Sequence, residues 1–204
     1  VATGLIPLSF LILSRLGNLG TKATLVLSLH QEFHQTLLLM CAGQDADLTE
    51  NLSLDHYERV AGAKSGSLFR LGCRSGALVA GASPDMVACY GDFGYNLGIV
   101  AQMWNDLQGL ARVQGKGGSD RQRSLPNLAT EAIREMVSGP SPKEQVGPLY
   151  ALVRLQVFHQ RASAALAQCP EAGRLSLFLD AYATHPLVER RRQALPHQGE
   201  NHDR

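Results

Sequence analysis

The spacing of apolar residues limits this chain more than any other feature. They recur at helical intervals along most of the sequence, and no stretch shows the sustained two-residue alternation of a half-buried strand. The pattern predicts an all-α fold with helices at residues 2–16, 21–44, 53–82, 84–113, 127–138, 144–168 and 171–183. Local punctuation supports these limits. Gly17-Asn18-Leu19-Gly20 ends the first helix, and Thr21 is positioned to cap the second. Ser53 is a cap candidate for the third. Ser83-Pro84-Asp85 and Ser141-Pro142-Lys143-Glu144 each open a helix with proline at its first position. Between Gln114 and Pro126 lies one long polar loop, and from His197 the chain ends in a polar tail.

Composition then excludes several functions. A chain of 204 residues, 45% apolar and 18% charged, buries roughly 70% of the surface it exposes when unfolded and needs no disulfide or metal to form a core. The 19 Lys and Arg are spread among 18 Asp and Glu, for a net charge of +1. That balance lacks the basic stripe of a DNA or RNA binder, so no nucleic-acid partner is expected. Glu189-Arg190-Arg191-Arg192 reads as a solvated helix end. The most apolar run, Gly4 to Leu13, is too short to span a bilayer and contains Pro7 and Ser9. No basic segment precedes it, so neither a signal peptide nor a transmembrane segment is expected. Cys41, Cys73, Cys89 and Cys169 form no CxxC pair and read as reduced core thiols of a cytoplasmic protein.

Four constellations carry candidate chemistry. The first is Gly43-Gln44-Asp45-Ala46-Asp47-Leu48, at the predicted end of a long helix, where Gln44 shares a face with Cys41, Leu37, His34 and His30. The second is Lys64-Ser65-Gly66-Ser67-Leu68-Phe69, a cation followed by a hydroxyl that together suit an anion or a solvated face. In the third, Gly91, Gly94 and Gly98 each cost about 1 kcal/mol against alanine in a helix, so something close-packed is expected against them. On the same helix Gln102, Asn105, Asp106 and Gly109 share one side, an arrangement that suits a hydrated Mg²⁺ holding a phosphate. The fourth is the loop Gly115-Lys116-Gly117-Gly118-Ser119-Asp120-Arg121-Gln122-Arg123, with the cations and free backbone N–H groups of a phosphate-closing lid. It is not a Walker A loop. His30 and His34 stand at i, i+4 without the HExxH pattern, Trp104 reads as packing, and Leu5, Leu8, Ile12 and Leu16 read as a core stripe.

Taken in order, these segments resemble the trans-isoprenyl diphosphate synthases, whose motifs run GQxxDL, K(T/S)GxLF, RxGAxxAGA, FGxxLGxxxQxxDDxxD, GKxxSD and a TLP-like tripeptide. The chain reads Gly43-Gln44 with Asp47-Leu48, Lys64-Ser65-Gly66 with Leu68-Phe69, and Gly76-Ala77 with Ala80-Gly81-Ala82. It continues with Phe93-Gly94, Leu97-Gly98, Gln102, Asn105-Asp106, Gly115-Lys116, Ser119-Asp120 and Ser124-Leu125-Pro126. The resemblance implies a bundle of long helices around a deep pocket, usually paired in a homo- or heterodimer with a prenyl diphosphate synthase subunit. It implies Mg²⁺-dependent joining of isopentenyl diphosphate to an allylic prenyl diphosphate. By position, Lys64 would contact the allylic diphosphate, with Ser65 in the place of the usual threonine and Gln102 beside the metal-bearing helix. Gln44 and Asp47 would line the diphosphate end, Lys116 and Arg123 would close over it, and Asp106 with Asn105 would face the metal.

The departures point to alternatives. Where the family has DDxxD, the chain has Asn105-Asp106-Leu107-Gln108-Gly109, so two of three hard anionic ligands are gone. The first aspartate-rich motif is absent, and Val1 to Phe10 aligns with the helix that normally follows it. Residues 1–192 therefore resemble the C-terminal two-thirds of such a domain, with 193–204 a polar tail. A non-catalytic partner subunit of a heteromeric synthase is one alternative. A terpene-cyclase-like enzyme is another, since Asn105-Asp106 with Gly109 resembles part of the cyclase metal motif, although Val113 stands where its Glu is expected.

Overall fold

The computed structural model describes residues 2–49, 53–111, 124, 126–130, 146–169 and 173–182. Among them no strand occurs, as the helical spacing predicts. Seven labelled helices follow in order: α1 (Ala2–Arg15), α2 (Ala23–Thr49), α3 (Leu54–Ala61), α4 (Ser67–Val79), α5 (Pro84–Ala111), α6 (Val146–Leu166) and α7 (Gly173–Asp180). A 3₁₀ turn at Gly17–Leu19 follows α1, and Gly20 closes it at φ 84°, a left-handed conformation that glycine adopts without strain. A π-helical segment, Gly62–Gly66, joins α3 to α4.

Helix α5 is the centre of the fold. It packs along α4 on one side and α6 on another, and a helix enclosed in this way is apolar on most of its circumference. Ile99, Val100, Met103 and Leu107 are essentially sequestered from solvent, in a cluster with Ala151, Leu155 and Phe158 of α6, and Phe93 is as deeply buried in a second cluster with Ala162 and Leu166. The α5 glycines have the close neighbours their cost demands. A Cβ at Gly94 would lie 2.5 Å from the Phe69 carbonyl oxygen, and one at Gly98 would lie 2.5 Å from that of Ser65. Side chains at either position would hold the helices apart.

Several expectations are corrected. Helix α2 runs to Thr49, so Gly43 to Leu48 lies within a helix and not at its exit. The predicted helix over 53–82 is interrupted by the π-helical segment and ends at Val79. Leu25 and Val26 N–H both donate to the Lys22 carbonyl, so Lys22 rather than Thr21 stands at the start of α2. Ser53 does precede α3 with extended backbone but makes no side-chain cap, whereas Ser83 Oγ accepts from Met86 N–H at 3.4 Å and Pro84 opens α5. Leu8 and Ile12 are 49% and 57% exposed, so this α1 stripe is not core. Cys41 is exposed, while Cys73, Cys89 and Cys169 gather in and beside the cluster formed by Phe93, Leu97 and Leu166.

Residues 126–130 are helical. The remainder of the predicted helix at 127–138, Ser141 to Glu144, Glu189 to Arg192 and the tail lie outside the described residues. No described helix is long and apolar enough to cross a membrane.

Candidate functional site

The site forms where the helical path deviates. One extra residue per turn at Gly62-Ala63-Lys64-Ser65-Gly66 makes a π-bulge, a feature often found where side chains must be re-aimed. Its glycines let neighbours approach closely. Tyr95 of α5 lies over both Gly62 and Gly66, so neither position has room for a Cβ. From α2, a Cβ at Gly43 would come within 2.7 Å of Ala63 Cβ and 3.1 Å of Lys64 Cγ. The bulge is thus clamped between α2 and α5.

On this clamp five of the residues singled out from sequence come together. Lys64 Nζ donates to Asp47 Oδ2 at 2.6 Å in an ion pair whose side chains are 29% and 20% exposed. Beside it a relay crosses to α5. Ser65 Oγ donates to Gln102 Oε1 at 3.0 Å, and Gln102 Nε2 donates to Asp106 Oδ1 at 3.2 Å. The second oxygen of Asp106 accepts from the Tyr57 hydroxyl of α3 at 2.8 Å. Asp106 is only 9% exposed, and a buried carboxylate needs such donors to offset its lost hydration. Burial, then the charge and hydrogen bond of Asp106, push the Tyr57 phenol well above its ordinary pKa, so it stays a donor across the neutral range.

Other expected residues stand apart. Gln44 is exposed on α2, and no hydrogen bond joins it to Lys64, Asp47 or Ser65; Asn105 is exposed beside Asp106. Lys116 and Arg123 lie outside the described residues. Sequence reading missed Tyr57 as a site residue and named Gly43 only as the start of the first constellation. Tyr57 lies seven positions before Lys64, two helical turns away, a spacing that could have marked it. Gly43 was visible as a glycine inside an amphipathic run.

The remaining candidates resolve as packing. His34 stacks on Phe10 at 4.5 Å, its Nδ1 is bonded to the His30 carbonyl at 2.6 Å, and His30 Nε2 lies 3.3 Å from Ser14 Oγ. The contacts with Phe10 and Ser14 fasten α2 to α1. Trp104 meets Tyr182 edge-on at 5.7 Å.

No three His, Cys, Asp or Glu among the described residues converge as a metal cage. Mg²⁺ usually binds through one or two protein oxygens completed by phosphate oxygens and water, and the candidate oxygens on α5 are those of Asp106, which here accept from Tyr57 and Gln102. Asp106 offers the carboxylate and Asn105 an adjacent exposed amide.

Comparison with known proteins agrees with the all-α fold. The chain superposes on a polyprenyl synthetase from Streptomyces coelicolor A3(2) with a TM-score of 0.68 at 19% identity, covering 89% of this chain and 63% of that one. On a decaprenyl diphosphate synthase from Rhodobacter capsulatus the TM-score is 0.63 at 20% identity, covering 80% of this chain and 60% of the other. The fold is therefore that of the solved polyprenyl synthases. The chain itself belongs to the polyprenyl synthetase family, whose model matches residues 3–146. It is 30% identical over 190 residues to a geranylgeranyl diphosphate synthase of Mycobacterium tuberculosis, covering 79% of this chain and 53% of that protein. It is also 30% identical over 95 residues to one of Sulfolobus acidocaldarius, covering 45% of this chain and 29% of that protein. The chain thus spans about half or less of these relatives.

Proposed function

We propose that this chain binds an allylic prenyl diphosphate and takes part in its transfer to isopentenyl diphosphate. The observation that carries the reading is the clamped bulge, which presents Lys64 and Ser65 beside Gln102 and the buried Asp106. Asp47 holds Lys64 oriented until an anionic ligand offers a stronger partner. Lys64 would then hold the diphosphate, and the Ser65 hydroxyl, aligned by Gln102, would lie next to it. As the allylic carbon–oxygen bond breaks, charge builds on the departing pyrophosphate, and fixed donors at this point stabilise it. The isopentenyl alkene captures the resulting cation, and loss of a proton regenerates a double bond.

Mg²⁺ would be held at Asp106, with Asn105 beside it, and when bound would neutralise the diphosphate oxygens. Gln44 would line the diphosphate end, and Lys116 and Arg123 would close over it. The relatives named geranylgeranyl diphosphate synthase favour chain elongation over cyclisation. Residues 1–192 would correspond to the C-terminal part of such a domain, acting in the cytoplasm. Exposed Leu8, Leu11 and Ile12 of α1, with Leu27 and Leu38 of α2, would meet a second prenyl synthase subunit, identical or related.

Titration calorimetry with geranyl diphosphate and Mg²⁺ tests the reading. Micromolar binding weakened at least tenfold in Lys64→Ala is the expected result. No binding, or binding indifferent to Lys64, would overturn it.

A further inference from the structure

Three cysteines that are remote in sequence lie in or beside one apolar cluster along the first half of α5. Cys73 comes from α4, Cys89 from the first half of α5, and Cys169 from the turn after α6, all within the cluster around Phe93 and Leu166. Cys89 Sγ reaches Gln168 Oε1 at 3.8 Å, the residue just before Cys169. Cys89 packs against the cluster that holds Cys169, whose thiol donates to the Ala165 carbonyl at 3.5 Å. The sequence separation of about 80 residues makes this meeting a product of the fold.

The three thiols differ in access and freedom. Cys73 is fixed in mid-α4, its sulfur 2.9 Å from where a Cβ on Gly94 would stand. Cys169 is buried but sits in a turn, its N–H bonded to the Leu166 carbonyl at 2.9 Å, outside a helix that would hold its backbone rigid. Burial first, then the neighbouring thiols, push its pKa up to about 11, so it waits as a protonated thiol. Cys89 is partly exposed, so an oxidant in solution can reach its sulfur.

We infer that Cys89 and Cys169 are a redox-modifiable pair that closes to a disulfide on exposure to a hydroperoxide. The Cys89 sulfur attacks the peroxide, the O–O bond breaks, and one water or alcohol leaves, giving a sulfenic acid. The Cys169 sulfur then attacks Cys89, its proton joins the departing hydroxyl, and a second molecule, water, leaves. The two thiols together lose two electrons and the peroxide gains two. The bond staples the first half of α5 to the end of α6 and closes a loop of about 80 residues, which restricts the unfolded chain. Since α5 also carries Gln102 and Asp106, oxidation stiffens the helix on which the candidate site is built.

The test uses the full chain treated with hydrogen peroxide, digested without reductant and mapped by mass spectrometry. A Cys89–Cys169 peptide pair is expected, reversed by a thiol reductant and absent in Cys89→Ser and Cys169→Ala. Cys41→Ser and Cys73→Ser retain it. The oxidised chain melts higher by on the order of 10 °C. Cross-links through Cys41 or Cys73 in its place would overturn the inference. So would Cys89 and Cys169 remaining unlinked while circular dichroism shows the native helix content. The half-buried Cys89→Ser variant keeps the test decisive if Cys169→Ala fails to fold.

Discussion

The Tyr57 hydroxyl donates to Asp106 across 2.8 Å and joins α3 to α5 at the one buried carboxylate of the candidate site. Removing the donor leaves Asp106 with one fewer partner in a poorly hydrated place. Tyr57→Phe should therefore destabilise the fold by about 1–3 kcal/mol. The pH dependence has a definite sign. The phenol is raised in the folded chain, so the unfolded chain releases its proton first, and the stabilisation is full below about pH 10 and falls as pH rises beyond it. Urea titrations between pH 8 and 11 should show a stability decline above pH 10 that is shallower in Tyr57→Phe. Equal slopes in the two proteins would refute the account.

Lys64 and Asp47 separate stability from binding. Their ion pair is partly exposed, with side chains 29% and 20% accessible, so solvent screening limits its worth to at most about 1 kcal/mol. Lys64→Ala should melt within a few degrees of the wild type while losing at least tenfold in affinity for inorganic pyrophosphate. Lys64→Arg should restore charge without restoring full affinity, because the clamp at Gly43 was shaped around a lysine stem. Melting curves and calorimetry on the same preparations decide it.

The sequence held the helices and the small residues that let them approach, because both are local signals. Apolar spacing located α1, α5 and α6, and the costly glycines of α5 announced a close neighbour before Phe69 and Ser65 were seen against Gly94 and Gly98. The resemblance located Lys64, Ser65, Gln102 and Asp106. What stayed hidden depends on tertiary geometry. The π-bulge preserves helical spacing on either side, so periodicity reads through it as one helix over 53–82. Tyr57 lies 49 residues from Asp106 in sequence, and nothing local pairs a tyrosine with a carboxylate at that distance. The α1 stripe of Leu8 and Ile12 was read as core because amphipathic spacing says which residues share a face and not what covers it.

Glycines of two kinds give opposite outcomes. At Gly94 and Gly98 a methyl group would press on backbone carbonyls that cannot give way, and alanine at either should cost about 1–3 kcal/mol despite its better helix propensity. Gly72 and Gly76 of α4 have open space where the Cβ would stand, along a groove of about 560 Å³ lined also by Met86, Tyr90 and Leu175. Alanine there should stabilise by about 0.5–1 kcal/mol. Chemical denaturation of the four single variants reads both signs, and uniform behaviour across the set would disprove the distinction.

Arg74 and Gly91 should be coupled in a way that single substitutions conceal. Arg74 grips Glu32 of α2 with a forked pair, Nη2 to Oε1 at 2.6 Å and Nε to Oε2 at 3.0 Å, and this hydrogen bonding raises its pKa further. To reach α2 its stem lies across α5 at Gly91, where a Cβ would be 2.8 Å from Arg74 Cγ and 3.0 Å from Cδ. Alanine at 91 must displace that stem and loosen the fork, so Gly91→Ala should destabilise the wild type by about 1 kcal/mol. In an Arg74→Ala background the obstacle is gone, only the gain in helix propensity remains, and the same change should stabilise by about 0.5–1 kcal/mol. A double-mutant cycle measured by urea denaturation should therefore return a coupling of roughly 1.5–2 kcal/mol. Additive effects would mean that the Arg74 stem yields to a methyl group without losing its grip on Glu32.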